Sequence, residues 1–139
     1  MTARRHLLDT TMFSDLMREH PVVEQHLLAA RNAGGACVGV IVQGETRYGL
    51  ERLPRGRRRR DLEAKAERLF AALPCEPIPA AAGDIYGRIR RTAEAKGLRL
   101  DDNDLWITAT ALALGAILVT RDSDLRRVAG LEVEDWTQP

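Results

Sequence analysis

Short apolar runs alternate along this chain with stretches in which apolar residues recur at helical spacing. Residues 36–42 and 116–120 are small and apolar throughout most of their length, which is typical of strands buried on both faces, and residues 6–9 predict a shorter strand that ends on a carboxylate. Shorter strands are predicted at residues 75–78 and 131–134, and helices at residues 12–18, 21–30, 45–53, 61–73, 80–96 and 101–114. Residues 54–60 are predicted to form a basic loop and residues 121–127 a turn or short helix. Strands that alternate with helices predict an α/β fold with a mostly parallel sheet and helices on both faces.

The composition indicates a folded protein without a strong overall attraction to nucleic acid. With 139 residues, 45% hydrophobic and 29% charged, residues 1–139 are expected to form a single domain. The formal net charge is only +1, so contact with RNA or DNA would need a local basic patch. No apolar run has the length of a signal peptide core or a membrane span, which predicts a cytoplasmic protein with no membrane contact.

The cysteines and histidines lack the spacing of a zinc site. Cys37 lies in an apolar run and Cys75 lies between prolines, so we expect two reduced thiols that serve in packing. The three histidines, His6, His20 and His26, are scattered, and we expect them on the surface or at helix ends.

Four carboxylates are placed where the predicted strands end or the following helices begin. Asp9 ends the first strand, Glu45 follows the second, Asp122 follows residues 116–120, and Asp104 opens the helix that leads into that strand. Sites in open parallel sheets form at the carboxyl ends of strands, so these acids are expected to converge. Each also has a purely structural interpretation. Asp9 could cap a helix, and Asp122 could form a turn. Glu45 and Asp104 could be acids in a first helical turn that the helix dipole stabilises.

A cluster of carboxylates at one edge of a sheet repels itself unless protons or cations neutralise it. Oxygen ligands alone favour hard cations, so Mg²⁺ is expected, with Mn²⁺ as the alternative. Such ions lower the pKa of bound water and hold a phosphodiester for in-line attack. Asp101 and Asp102 beside Asp104, and Asp124 beside Asp122, compete for the same assignments.

The segments around these acids resemble PIN-domain proteins, in particular the VapC-type toxins of toxin–antitoxin systems. The resemblance lies in residues 7–10 (LLDT), 40–50 (VIVQGETRYGL), 102–113 (DNDLWITATALA) and 118–124 (LVTRDSD), in the usual order and spacing. It covers nearly the whole chain. The resemblance implies a PIN-like three-layer sandwich, in which helices flank a mostly parallel five-stranded sheet.

The resemblance also implies a magnesium-dependent endoribonuclease that hydrolyses phosphodiesters of tRNA or another structured RNA. The family's catalytic acids carry over to Asp9, Glu45, Asp104 and Asp122. Asp9 and Asp104 are expected to be the direct metal ligands, with Glu45 and Asp122 in support. Thr11 stands where the family often has Asn or Ser, but its hydroxyl can still donate to a carboxylate.

Four further residues are candidates for substrate binding: Thr10, Thr120, Arg57 and Arg58. The two arginines belong to the run formed by Arg55 and residues 57–60, the densest charge in the chain. This run could contact the RNA backbone, or it could be a solvated loop and helix start.

The implied partners are a cognate VapB-type antitoxin, a second copy of the chain in a homodimer, and DNA reached only through the antitoxin. Two other interpretations stay open. A phosphoaspartyl enzyme or receiver domain would use Asp9, but it would need a lysine after a late strand, and no lysine follows Lys96. A non-catalytic PIN-fold binding module would not need its acids.

Overall fold

The computed structural model describes residues 4–139, so residues 1–3 of the predicted domain lie outside it. Its strands are β1 (His6–Leu8), β2 (Ala36–Gly39), β3 (Cys75–Glu76), β4 (Ile117–Val119) and β5 (Val133–Glu134). Its helices are α1 (Thr10–Met17), α2 (Pro21–Arg31), α3 (Val40–Glu51), α4 (Arg57–Ala72), α5 (Ala82–Ala95) and α6 (Asp102–Leu114), with a 3₁₀ turn at Ser123–Arg127. Among these described helices, none is both long and apolar enough to cross a membrane.

The strands form one parallel sheet in the order β3-β2-β1-β4-β5, which confirms the predicted α/β class. Leu7 of the central strand is in register with Cys37 of β2 on one side and with Leu118 of β4 on the other. The three inner strands are buried along their whole length, as their apolar sequences predict, whereas the edge strands have two residues each. Asp9 therefore follows the most central strand of the sheet.

Apolar side chains from the sheet and the helices form one core cluster. Met12 and Phe13 of α1 are fully buried, and Phe13 stacks on Phe70 of α4 with 4.6 Å between ring centroids. Helices α1, α3 and α4 contact one another, while α5 packs along α6. This packing fixes α1, α3 and α6, the helices that Asp9 caps and that carry Glu45 and Asp104.

The second predicted strand is too long by three residues. The apolar run at residues 36–42 is a strand only as far as Gly39, and Val40 begins α3. A continuous apolar run does not distinguish a buried strand from the first turn of a helix. Glu45 consequently lies in the second turn of α3 rather than at a helix start, so the helix dipole does not account for it.

The predicted basic loop at residues 54–60 is also too long, because α4 begins at Arg57. Arg59 explains the early start. Its guanidinium donates to Glu63 one turn ahead (2.8 Å), to Glu51 of the preceding helix (3.0 Å) and to the Leu53 carbonyl (3.2 Å). Arginine is itself a good helix former.

The histidines and cysteines lie in different surroundings, and the packing prediction is wrong for Cys75, which is exposed. His20 caps α2, and its Nδ1 accepts from the Val23 amide at 3.4 Å, which confirms the helix-end prediction. The prediction for His6 is wrong, because its strand is the central one and its side chain is buried. Cys37 is buried and Cys75 exposed, and both are free thiols.

Trp136 anchors the C-terminal segment to the core. It is 1% exposed, lies between the rings of His6 and His26, and donates from Nε1 to Glu134 at 3.0 Å. We expect Trp136→Ala to lower the free energy of unfolding by about 3–5 kcal/mol. Trp136→Phe keeps most of the apolar contact but loses the hydrogen bond, so it should cost about 1 kcal/mol. Urea unfolding measures both, and an alanine variant as stable as the phenylalanine variant would show that the segment is not part of the core.

Candidate active site

Asp9 is a buried carboxylate that also caps a helix. Its Oδ1 accepts from the Met12 amide (3.0 Å) and from the Thr11 hydroxyl (2.8 Å), and its side chain is the N-cap of α1. Burial raises the pKa of Asp9, while hydrogen bonds from Thr120, Met12 and Thr11 oppose that rise. The capping interpretation therefore holds, and it leaves a desolvated acid at the end of the central strand.

Asp104 shows that the predicted acids come together. It lies in the first turn of α6 and is partly buried. Its pKa is raised from 3.8 to about 6, first by burial and then by the negative charges of Asp101, Asp9, Asp122 and Glu45. Carboxylates from four separate parts of the chain thus act on one side chain.

Glu45 is oriented by a residue of a different helix. The Thr10 hydroxyl, in the first turn of α1, donates to Glu45 Oε1 at 2.5 Å. Glu45 itself is partly buried on α3, so the contact joins the helix that follows β1 to the helix that follows β2. Thr10, one of the predicted substrate-binding residues, therefore has a structural partner within the site.

Asp122 is both a turn former and a member of the cluster. Its side chain caps the 3₁₀ turn by accepting from the Asp124 amide at 2.9 Å, and its own amide donates to Thr120 Oγ1 at 3.1 Å. Thr120 is 1% exposed and also bonds to Asp9. Thr120, which is also predicted to bind substrate, is therefore buried between Asp9 and Asp122 and contacts both.

A groove of about 660 Å³ runs between Glu45 and the arginine run. Arg57 and Arg58 lie in the first turn of α4 and line the groove together with Glu45 and Thr10. Both arginines are exposed. The groove therefore joins the predicted substrate-binding arginines to Glu45, one of the four predicted catalytic acids.

The chemistry of the donors fits a hard divalent cation. Asp9, Glu45, Asp104 and Asp122 offer only carboxylate oxygens. The pKa of Asp104 is raised first by burial and then by the negative charges of neighbouring acids, which a bound cation would neutralise. Within residues 4–139, no three His, Cys, Asp or Glu side chains are close enough to hold a metal ion as they stand. The fit thus rests on charge and donor type.

Comparison with known proteins identifies the family. The model of the PIN domain matches residues 6–131. The ribonuclease VapC4 of Mycobacterium tuberculosis is 31% identical over 138 residues, which cover 96% of this chain and 98% of that protein. This chain belongs to the PIN-domain family, among the VapC ribonucleases.

Two other similarities extend over nearly all of the PIN domain. The ribonuclease VapC2 of Rickettsia felis is 28% identical over 135 residues, covering 94% of this chain and 97% of that protein. The crystal structure of VapBC2 from Rickettsia felis, bound to a DNA fragment from its promoter, superposes with a TM-score of 0.86 at 25% identity. That superposition covers 95% of this chain and 98% of the other. The predicted PIN-like fold and the place among toxins of VapBC toxin–antitoxin systems are confirmed.

The family disfavours the phosphotransfer interpretation of Asp9. A phosphoaspartyl enzyme would usually have a second Asp two residues after Asp9, where this chain has Thr11. Both phosphotransfer classes would need a lysine after a late strand, but no lysine follows Lys96. In this PIN domain Thr11 donates to Asp9 instead.

The aromatic residues beside the cluster are engaged in packing. Trp106 is partly buried and stacks on Tyr86 of α5 with 4.1 Å between ring centroids. The Tyr86 hydroxyl donates to Asp102, which also pairs with Arg90. The Asp102 carboxylate thus pairs with side chains of α5, whereas Asp104 interacts with the other acids.

Two features of the site were not found from the sequence. Asp101 was treated as a competitor of Asp104, but it caps α6. After burial, the negative charge of Asp101 is the largest cause of the raised pKa of Asp104. Asp15 and Arg121 form an ion pair beside Asp9, between α1 and the end of β4. The only sequence signal for Arg121 was its place directly after a buried strand, and Asp15 carried no signal.

Proposed function

We propose that this VapC-type protein is a magnesium-dependent endoribonuclease that hydrolyses phosphodiester bonds of structured RNA, with tRNA as the leading substrate. The observation that carries the proposal is the match to the PIN domain over residues 6–131, together with the similarity to VapC ribonucleases over nearly the whole chain. The raised pKa of Asp104 supports it, because burial and then the charges of Asp101, Asp9, Asp122 and Glu45 cause that rise. A cluster that holds so much negative charge is suited to bind a cation and, with it, an RNA phosphate.

Asp9 and Asp104 would hold the cation, with Glu45 and Asp122 completing its surroundings. A bound Mg²⁺ or Mn²⁺ would supply Lewis acidity to the phosphate and acidify water. Thr11, Thr120 and the Met12 amide keep Asp9 in one orientation.

The Thr10 hydroxyl occupies Oε1 of Glu45. Among residues 4–139 no hydrogen bond engages Oε2, and we propose it as the atom that orients a water molecule and accepts its proton.

The histidines take no part in this chemistry. His20 caps α2, and His6 and His26 flank Trp136, so none lies in the acid cluster. Without a general base aimed at a ribose, attack by the 2′-hydroxyl is not expected. Water should attack and the 3′ oxygen should leave, giving products with 5′-phosphate and 3′-hydroxyl ends.

Cleavage of RNA by the antitoxin-free chain tests the function. The purified protein is incubated with total bacterial RNA, with Mg²⁺ or with EDTA, and the cut ends are mapped by sequencing. We expect discrete cuts in tRNA or another structured RNA that disappear with EDTA and carry 5′-phosphates. Ends with 2′,3′-cyclic phosphates would overturn the chemistry, and no cleavage by folded, metal-loaded protein would favour a non-catalytic binding module.

The groove arginines are expected to bind the RNA backbone. We predict that Arg57→Gln/Arg58→Gln raises KM about tenfold with a small effect on kcat, because the contacts would be made in both ground and transition states. The salt dependence of RNA affinity should become shallower by about 1 to 2 in log–log slope. Arg60→Gln removes a charge from the same run without touching the groove and should change neither quantity. If Arg60→Gln changes KM and the salt slope by as much per charge removed as the double variant does, the effect is one of overall charge and the groove does not bind RNA.

The partners follow from the family. The Rickettsia felis structure is a VapBC2 complex on promoter DNA, which supports a cognate VapB-type antitoxin here and DNA contact through that antitoxin. The helix α3 exposes Val40 and Tyr48, by 41% and 65%, which supports a homodimer interface on that face. We also propose that residues 1–139 form a single PIN domain.

A further inference from the structure

One arginine is fixed at the edge of the acid cluster by a buried carboxylate. Arg121 follows β4, between Thr120 and Asp122, and its Nη1 donates to Asp15 Oδ2 at 3.0 Å. The Asp15 side chain is 5% exposed, whereas that of Arg121 is 46% exposed. Asp15 lies on α1, the helix that Asp9 caps.

This pair differs from the other ion pairs of the described chain, whose carboxylates are at least a quarter exposed. Burying the Asp15 carboxylate costs desolvation free energy unless its charge is paired, so loss of the contact with Arg121 would destabilise the fold. A guanidinium has five N–H donors in a rigid fork, and the contact with Asp15 uses one side of it. The remaining donors of Arg121 are held in place at a half-exposed position.

The sheet order puts this arginine on the opposite flank of the site from the groove. The central strand β1 lies between β2 and β4. Glu45 and the groove with Arg57 and Arg58 belong to the β2 side, because α3 follows β2. Arg121 follows β4, and its positive charge acts on Asp9 at the centre.

A polyanion that approaches four carboxylates is repelled unless fixed cations lie nearby. We propose that Arg121 binds an RNA phosphate on the β4 side of the acid cluster, and that Asp15 is the residue that positions it. The substrate strand then lies across the acids with arginines on each side: Arg57 and Arg58 at one end and Arg121 at the other. This inference rests on the proposed function, since it assigns a further substrate-binding residue to the same site.

The test measures RNA binding without catalysis. Antitoxin-free chain in EDTA is titrated with fluorescently labelled, unfractionated bacterial tRNA at a series of salt concentrations. The informative comparison is Asp15→Asn against the double variant Asp15→Asn/Arg121→Gln, because neither leaves a buried carboxylate without its partner. Arg31→Gln, at the far end of α2, is the matched control for loss of one exposed arginine.

We expect the double variant to bind about tenfold more weakly than Asp15→Asn and to lose about 0.7 from the log–log salt slope, the value for one phosphate contact to a single strand. Asp15→Asn alone should keep the wild-type slope, because the charge of Arg121 remains, but bind more weakly than wild type. Arg121→Lys should keep the wild-type salt slope, because the charge is retained, but only part of the affinity, because lysine lacks the planar set of N–H donors of a guanidinium. Thermal melting of each variant establishes that it is folded.

The outcomes separate this inference from the proposed function. If the wild-type chain binds tRNA and the double variant matches Asp15→Asn in affinity and slope, Arg121 does not bind RNA and the proposed function stands. If Arg31→Gln causes the same loss as the double variant, the effect is one of overall charge and the inference is overturned. If the wild-type chain shows no salt-dependent binding to tRNA in EDTA, this inference is overturned, whereas the proposed function is decided by the cleavage experiment with Mg²⁺.

Discussion

Asp104→Asn is expected to lower RNA cleavage about a thousandfold at saturating Mg²⁺. The substitution keeps the shape of the side chain and removes one of the two carboxylates that we propose as metal ligands. A bound metal is worth several kcal/mol of transition-state stabilisation, and each 1.4 kcal/mol is a factor of ten in rate. Asp9→Asn should have an effect of the same size, because asparagine can keep the cap of α1 but cannot replace the charge.

The matched control is Asp102→Asn, two residues away in the same helical turn. Asp102 pairs with Tyr86 and Arg90 instead of facing Asp104, so its variant should cleave RNA within a few-fold of wild type. Single-turnover cleavage of a mapped substrate measures all three rates. Equal losses in Asp102→Asn and Asp104→Asn would mean that the first turn of α6 matters for folding or RNA contact and that Asp104 has no special role.

Metal binding and cleavage should both rise as the pH increases through about 6. The pKa of Asp104 is raised to about 6 by burial and by its acidic neighbours, so below that pH a proton competes with the cation for this carboxylate. Asp104→Asn should abolish the inflection in Mn²⁺ affinity. Isothermal titration with Mn²⁺ between pH 5 and pH 8 measures this, and an inflection that survives in the variant would assign it to another group.

The stability of the metal-free protein should change in the opposite direction. The folded pKa of Asp104 lies above its ordinary value of 3.8, so the folded state binds more protons than the unfolded state in this range. Its contribution is therefore most favourable below about pH 4 and is lost as the pH rises through about 6. In EDTA at pH 7, Asp104→Asn should be more stable than wild type by about 1 kcal/mol, after allowance for partial exposure of the carboxylate. Thermal unfolding at several pH values measures the difference.

The features that depend on burial and chain order could be predicted from the sequence. Apolar strands on either side of helical patterns lead to the parallel sheet, and in such a sheet acids that follow strands must meet at one edge. The structure agrees to the extent that the charges of Asp9, Glu45 and Asp122 all contribute to the raised pKa of Asp104. The structural and functional interpretations of Asp9 and Asp122 are compatible, because one oxygen caps a helix or turn while the carboxylate still faces the cluster.

The features that depend on contacts between distant side chains could not be predicted. Nothing local indicates that Asp15 is buried against Arg121, 106 residues away. The end of β2 at Gly39 was missed because the apolar pattern continues into α3. The burial of Thr120 could not be predicted either. It depends on where β4 ends and on the hydrogen bond from the Asp122 amide, and residue spacing indicates neither.

The position of a bound cation tests the central claim most directly. Crystals of the antitoxin-free chain soaked in Mn²⁺ would locate the ion by its anomalous scattering. We expect the strongest peak between the carboxylates of Asp9 and Asp104, with Glu45 and Asp122 around it, and no peak there in Asp104→Asn crystals. An ion bound elsewhere, or none at this cluster in crystals of protein that cleaves RNA with Mn²⁺, would contradict the proposal that these four acids form the metal centre of the nuclease.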